Sequence, residues 1–449
     1  MYDYDVIFIG SGHACNHGAL FLARAGKKTA IAEQDKNGGT CTNYGCDAKI
    51  ILDGPFEYQE GLMRYSDLGV ETPGIDWTKL MAYKKQTIGA FSPLLGQIFT
   101  KFGVNLLNGH AELIDEHTVK VGNETYTAEY IVIGSGSRDA EMKAPGSEFT
   151  HDSKDFLDLD VMPERMVIVG AGIISMEFAS MALALGKKVT IIHRSDRPLR
   201  AYPGKYVNNI IEKMKNQGAE FIFNENVASV EKNGDSYIVN TDGGKSIETD
   251  YVLHATGRVA NVENLGLEKL GIEYSSKGIK TDEYMRTSVP NIFASGDVVD
   301  KNIPNLTPTA EFESNYIAAQ ILGINNNPIN YPVIPNLVFT LPRIAQVGVS
   351  VETAEKNPEQ YRVEVVPFGA VNSWVNNRET EAEITYIFDK EGYLAGAAVY
   401  GAEGAMMIDF LTFIIQKRIS GLELSQMIFA FPTQTYSIVS GLIPLMLKK

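Results

Sequence analysis

The chain has only three cysteines in 449 residues, Cys15, Cys41 and Cys46. A secreted scaffold stapled by disulfides carries many more in a far shorter chain, so that class is excluded. Positive charge is also scarce: Lys plus Arg number 40 against 55 Asp plus Glu, a formal net charge of −15. Such a surface repels phosphate backbones and anionic lipid, which argues against nucleic-acid partners and against membrane attachment. Long apolar runs are missing too. The most apolar stretches, 166–185 and 405–415, are broken by Glu177 with two glycines and by Asp409, so neither reads as a membrane span. The start, Met1-Tyr2-Asp3-Tyr4-Asp5, has no basic segment. No secretory leader is expected, and the chain reads as cytoplasmic. The remaining composition is ordinary for a globular protein, 44% hydrophobic and 21% charged. At roughly 150 residues per domain the length allows about three domains.

Glycine stands where two nucleotide-binding turns need it. Val6-Ile7-Phe8-Ile9 reads as a buried strand running into Gly10-Ser11-Gly12, a helical stretch through Arg24, and a second strand ending at Glu33. Glycines at 10 and 12 let the backbone turn tightly and approach a pyrophosphate lying on the helix N-terminus. The unit recurs in register: Gly170, Gly172 and Gly186 each stand 160 positions after Gly10, Gly12 and Gly26. The two copies differ at the end of the second strand. Glu33 suits an unphosphorylated ribose, as in FAD or NAD. The second copy has His193-Arg194 there, then Arg197 and Arg200; guanidinium groups bind a 2′-phosphate, so NADPH is expected over NADH. The third glycine of the motif is Cys15 in one copy and Ser175 in the other, both small, and Cys15 is read as a packing residue.

The segment after Glu33 runs Gly38-Gly39-Thr40-Cys41-Thr42-Asn43-Tyr44-Gly45-Cys46-Asp47-Ala48-Lys49. Two cysteines this close in a chain almost free of them point to redox work or to a metal, but no local His or Cys cluster completes a zinc site. No metal is expected. This segment resembles the G-G-T-C-x4-C-x-x-K element of the flavin-dependent pyridine nucleotide–disulfide oxidoreductases, the family of glutathione reductase, dihydrolipoamide dehydrogenase and mercuric reductase. The likeness runs along the chain. Residues 131–137 and 253–258 resemble the family's strand–turn connectors, and Arg286 to Asp297 is similar to its second FAD fingerprint. Leu306-Thr307-Pro308 looks like the helix start facing the flavin, and Val338 to Pro342 like the beginning of the interface domain.

The resemblance implies an α/β fold with two Rossmann-like dinucleotide-binding domains and a C-terminal α+β dimerisation domain. FAD binding falls to 1–145 and 259–330, NAD(P)H binding to 146–258, and homodimer formation to 331–449. Gly10, Gly12, Glu33, Gly39, Thr40, Lys49, Gly136, Asp297 and Thr307 are implied for FAD, with Asp297 on the ribityl chain. Gly170, Gly172, Arg194, Arg200 and Gly257 are implied for NADPH. By the same likeness Cys41 and Cys46 form a redox disulfide, Cys46 being the thiolate beside the flavin and Cys41 the thiol that attacks substrate. Lys49 and Glu177 match the ion pair near the reactive flavin nitrogen.

The pattern breaks at Phe431-Pro432-Thr433-Gln434-Thr435-Tyr436. The disulfide reductases have H-P-T-x-x-E here, so Phe431 replaces the acid/base histidine and Tyr436 its glutamate. Loss of a positioned acid/base costs ~10²–10⁴-fold in proton transfer. The Tyr436 phenol, with an ordinary pKa of about 10, is a poor base and is retained as a proton or hydrogen-bond donor. Leu20 and Asn315 stand where glutathione reductase has arginines, which argues against that substrate. Residues 310–313 are closer to the lipoamide branch, but that branch uses NAD and keeps its histidine. Mercuric reductase shares the F-P start but has a vicinal cysteine pair near its C-terminus, absent from Leu445 to Lys449. The expected activity is electron transfer from NADPH via FAD to Cys41–Cys46 and on to a small acceptor needing little proton help. A disulfide with an acidic leaving thiol meets that condition, as do a metal ion and a quinone. Two rival readings are a diaphorase that bypasses the dithiol and a redox-sensing pseudo-reductase.

Overall fold

The computed structural model describes residues 1–448. Its first sheet is built on the strand Tyr4–Ile9, which pairs parallel with Thr29–Glu33 on one side and Glu124–Ile133 on the other. Asn105–Asn108 extends the parallel run past Thr29–Glu33, and Ile292–Ala294 lies along the end of Glu124–Ile133. Val6, Ile7, Phe8, Ile131, Val132 and Ile133 are fully buried, as continuous apolar runs must be when helices cover both faces of a parallel sheet. The helix His13–Arg24 packs against Thr307–Ile321, with the Gly18 N–H donating to Ser314 Oγ at 2.9 Å. The two segments that carry the FAD fingerprints are thereby joined although they lie nearly 300 positions apart.

A second parallel sheet repeats the plan. Its order is Glu220–Phe223, Lys188–His193, Arg165–Val169, Tyr251–His254, with a three-stranded antiparallel sheet beside it. The helix Ile173–Ala184 that follows Gly172 is apolar on every side, and nine of its residues are buried. A helix of this kind belongs between layers rather than at a surface. The third sheet is antiparallel and five-stranded, from Asn336–Val338 to Leu394–Gly401, and packs with helices Gly404–Lys417 and Gln434–Leu447 around Trp374, Tyr386, Leu411 and Ile438. The α/β plan with a C-terminal α+β unit is therefore as expected.

The helix Cys46–Met63 is clamped at the junction of these layers. Leu52 and Phe56 share one core with Ile168, Met176, Ile344 and Tyr400. Beside them, Arg343 donates to Asp53 at 3.1 Å and to Glu57 at 3.0 Å, with Arg343 and Asp53 only 2% and 1% exposed. A buried guanidinium–carboxylate pair fixes geometry more than it adds net stability, because desolvation offsets most of the attraction. The fixed geometry matters, since this helix carries both Cys46 and Lys49.

Candidate active site

The first glycine-rich turn is a cradle closed to side chains. Gly10 has φ +104°, and a Cβ there would stand 2.5 Å from the Gly134 carbonyl oxygen. Gly39 has φ +65°, and its Cβ would lie 2.9 Å from the Gly12 Cα. Two backbones this close leave exposed N–H groups at a helix N-terminus, the setting for a pyrophosphate. Glu33 is oriented by four donors: Ser11 N at 2.9 Å and Ser11 Oγ at 2.6 Å on one oxygen, Gln34 N at 2.8 Å and Asp35 N at 2.9 Å on the other. Thr40 is exposed beside Gly39, and Gly136 turns with φ +72°. Asp297 is half-buried and accepts from Ser137 Oγ at 2.9 Å. The cradle, the strand-end carboxylate and Asp297 fit an adenine dinucleotide such as FAD.

The second turn repeats the geometry. Gly170 has φ +105° and a Cβ there would meet the Ala255 carbonyl oxygen at 2.3 Å. Gly172 and Gly257 face open space. At the strand end Arg194 and Arg200 are exposed, the Arg200 guanidinium meeting Asp196 at 3.4 Å. Arg197 departs from expectation: it turns inward to Glu352 at 3.1 Å and to the Tyr202 carbonyl, so it braces the loop. Two arginines, not three, are left for a phosphate.

The sulfur pair sits where two helices meet. Gly39–Tyr44 carries Cys41 and stops at Gly45, where φ −142°, ψ −117° breaks the helix and lets Cys46 open the next one. A Cβ at Gly45 would lie 3.1 Å from the Thr40 carbonyl oxygen. No disulfide joins the two sulfurs in this structure. Thr307, the first residue of its helix, donates to Cys41 Sγ at 3.1 Å and lies 3.7 Å from Cys46 Sγ. The hydrogen bond from Cys41 lowers the Cys46 pKa to about 6, helped by Thr307 and Lys49 and opposed by burial. Donating that proton, together with burial, pushes the Cys41 thiol up. The pair is therefore polarised: at neutral pH Cys46 is the thiolate and Cys41 holds the proton. A thiolate at the start of a helix is placed where the helix field favours it.

One turn beyond Cys46, Lys49 Nζ meets Glu177 Oε1 at 3.2 Å and lies 3.5 Å above the Phe339 ring. The Phe339 N–H donates to the same carboxylate oxygen at 2.8 Å. Burial pushes the Glu177 carboxyl up, while Lys49 and the Phe339 N–H pull it back toward the ionised form. Cys41, Cys46, Thr307, Lys49 and Glu177 are thus brought together from three segments distant in sequence. Tyr436 is not joined to them within the chain; its ring packs edge-on against Phe431 at 5.0 Å. Phe339 was missed by sequence reasoning, because a phenylalanine before a Thr-Leu-Pro turn carries no signal of a cation above its ring. The buried Asp53–Arg343 pair was missed as well, since nothing local marks it.

Among the described residues no group of three or more His, Cys, Asp or Glu is arranged to hold a metal ion, and no helix is long and apolar enough to cross a membrane. The C-terminal unit exposes Ile428, Phe431, Met406, Leu422 and Phe413, an apolar surface of the kind that marks a protein–protein contact. Residues 4–314 match the family described as pyridine nucleotide-disulphide oxidoreductase, and residues 334–440 match its dimerisation domain. The chain is 29% identical over 443 residues to a glutathione reductase of Burkholderia cepacia, covering 98% of each. It is 30% identical over 443 residues to a dihydrolipoyl dehydrogenase of Chlamydia muridarum, covering 96% of this chain and 94% of that one. The solved HOCl-induced flavoprotein disulfide reductase RclA from Escherichia coli superposes with a TM-score of 0.89 at 25% identity, covering 99% of this chain and 100% of that one. With two dinucleotide cradles, a polarised cysteine pair between them and a dimerisation domain, this chain belongs to the pyridine nucleotide-disulphide oxidoreductases and is a flavin-dependent enzyme of that family.

Proposed function

We propose that the protein draws electrons from NADPH through FAD into Cys41 and Cys46 and reduces a small disulfide or disulfide-like oxidant. In this reading 1–145 and 259–330 hold FAD, 146–258 hold NADPH, and the setting is the cytoplasm, where thiols are kept reduced. The observation that carries it is the geometry of the sulfur pair: the Thr307 hydroxyl donates to Cys41 Sγ at 3.1 Å and lies 3.7 Å from Cys46 Sγ, and Cys46 opens the helix that carries Lys49. FAD supplies two-electron exchange between a reduced nicotinamide and a sulfur pair. Glu33, Asp297 and the Gly12–Gly39 cradle hold it, and the Lys49–Glu177 pair sets the charge beside it. Cys41, the sulfur that keeps its proton, attacks the acceptor, and Cys46 then displaces the product from Cys41.

The acceptor binds without the two arginines that anchor glutathione disulfide, since Leu20 and Asn315 stand in their places. An acidic protein without those cations binds a multiply charged anion poorly. The solved relative is described as a disulfide reductase induced by HOCl, which supports a sulfur-directed acceptor rather than a quinone. The test is NADPH oxidation with a panel of disulfides, quinones and metal ions by the wild type and by Cys41→Ser. Disulfides that depend on Cys41 support the reading; equal rates for every acceptor in the variant favour a diaphorase.

The coenzyme assignment rests on Arg194 and Arg200, both exposed. A hydrogen bond to a charged group contributes ~1.5–3 kcal/mol, so removing each guanidinium weakens phosphate binding about tenfold or more. The double variant Arg194→Ala/Arg200→Ala is expected to lose roughly 10²-fold in kcat/KM for NADPH and to change little with NADH. Equal losses with both coenzymes would contradict the assignment.

A further inference from the structure

The phenylalanine at position 431 leaves the Cys41 thiol without the histidine of the H-P-T-x-x-E element. Two other histidines stand on the helix that follows Gly12. His13 is the first residue of the helix after Gly12, and the Gly12 and Gly39 backbones touch two positions before Cys41. His13 Nδ1 lies 3.1 Å from His17 Nε2, with the rings stacked at 5.3 Å and 25°. His17 Nδ1 in turn faces Glu311 Oε1 at 3.4 Å. Glu311 sits one turn along the helix from Thr307, whose hydroxyl touches both sulfurs. Asp47, the neighbour of Cys46, lies in the first turn of the helix Cys46–Met63.

We propose that the His13–His17 pair, with Glu311 orienting His17, is the acid/base group of the Cys41 thiol and is supplied by the same chain that carries the thiol. His13 exchanges the Cys41 proton; His17 and Glu311 are positioning residues. The side chains of His17 and Glu311 are 32% and 45% exposed, so the pair is open to solvent. Burial first, and then His17, lowers the His13 pKa, against the opposing charges of Asp47 and Glu311. Those are the groups facing it: His17 on its own helix, Asp47 on the helix Cys46–Met63, and Glu311 on Thr307–Ile321. A histidine held neutral at pH 7 is a base ready for a thiol proton.

The proposal rests on the disulfide-reductase reading. As Cys41 attacks an acceptor disulfide, its proton passes to neutral His13 while the acceptor S–S bond breaks. The leaving thiolate then takes that proton. The Cys46 thiolate attacks Cys41, which re-forms the Cys41–Cys46 bond and releases the second acceptor sulfur as a thiolate. That thiolate takes a proton drawn from solvent through His17 and His13. In sum NADPH, one proton and a disulfide give NADP⁺ and two thiols.

The experiment compares an alkyl disulfide, 2-hydroxyethyl disulfide, with 5,5′-dithiobis(2-nitrobenzoate), whose thiol is far more acidic, in the wild type and in His13→Asn, His17→Asn and Glu311→Gln. Rates are normalised to flavin bleaching by NADPH on the same preparation, so a misfolded variant is recognised. His13→Asn is expected to lose ~10²-fold or more on the alkyl disulfide and much less on the aromatic one, because an acidic thiol leaves without proton help. Glu311→Gln, which removes an anion favouring imidazolium, is expected to move the acidic limb of the kcat/KM profile to lower pH. Equal losses on both disulfides, or an unchanged dependence on the leaving thiol in both histidine variants, would overturn the proposal. If Cys41→Ser turns over both disulfides at the wild-type rate, the disulfide-reductase reading itself fails, an outcome separate from these.

Discussion

Cys41→Ser is expected to lower turnover of disulfide acceptors by roughly 10⁴-fold or more, the scale on which removing a nucleophile acts. The expectation follows from the polarisation of the pair. Cys46 lies beside Thr307 and is drawn toward the thiolate by the charge of Lys49, while Cys41 is the sulfur that holds its proton. An acceptor disulfide exchanges with a sulfur that can leave the pair, form a mixed disulfide and be displaced by its neighbour. Serine can still donate to Cys46 through its hydroxyl but forms no such bond. Bleaching of the flavin by NADPH does not involve Cys41 as a nucleophile and is expected to persist. Stopped-flow flavin absorbance and steady-state NADPH consumption check the two halves. Disulfide turnover surviving within tenfold would contradict the assignment of Cys41.

Lys49→Met is expected to cost about 3–5 kcal/mol of stability, the penalty for leaving one member of a buried ion pair unpartnered. Glu177 is fully enclosed, and Lys49 and the Phe339 N–H are the partners that offset its desolvation. The pH dependence has a definite sign. Without Lys49 the carboxyl pKa rises further above its unfolded value, so the group is tolerated when protonated and destabilising when ionised. Stability of the variant therefore falls as pH rises through the carboxylate range, and the deficit at pH 8 exceeds that at pH 5. Glu177→Gln removes the charge while keeping the acceptor of the Phe339 N–H, so its defect lacks that carboxylate titration. Urea unfolding of the three proteins at both pH values measures this. A Lys49→Met variant as stable as the wild type at pH 8 would show that Glu177 has another partner.

What the sequence revealed was local. The glycines at 10, 12, 170 and 172 announce themselves because a tight turn between strand and helix restricts the residue itself, and the structure gives Gly10 and Gly170 nearly the same φ. The Cys41–Cys46 spacing was legible for the same reason, since the whole device is a helix broken at Gly45. Arg197 was misread because its fate is set by Glu352, which lies 155 positions away in another layer. Asp53 and Arg343 lie 290 positions apart, and only the packing of helix on sheet makes them neighbours. His13 and His17 are spaced one helical turn apart, yet the carboxylate that completes them comes from position 311. Periodicity shows which face a residue occupies but not what the facing element brings to it. The missing acid/base histidine was visible; the contact of His17 with Glu311 was not.

The central claim is that Cys46, whose pKa the hydrogen bond from Cys41 lowers, serves as the thiolate beside the flavin. Anaerobic titration with NADPH, followed across the visible spectrum from pH 5 to 8, tests it most directly. The account predicts a long-wavelength band after two electrons, present at pH 8 and fading as pH falls through about 6; in Cys41→Ala, which has no disulfide to reduce, the band belongs to the oxidised protein before NADPH is added and its onset moves to higher pH, because the hydrogen bond that lowers Cys46 most is gone. Complete bleaching of the flavin after two electrons with no such band at any pH would contradict it.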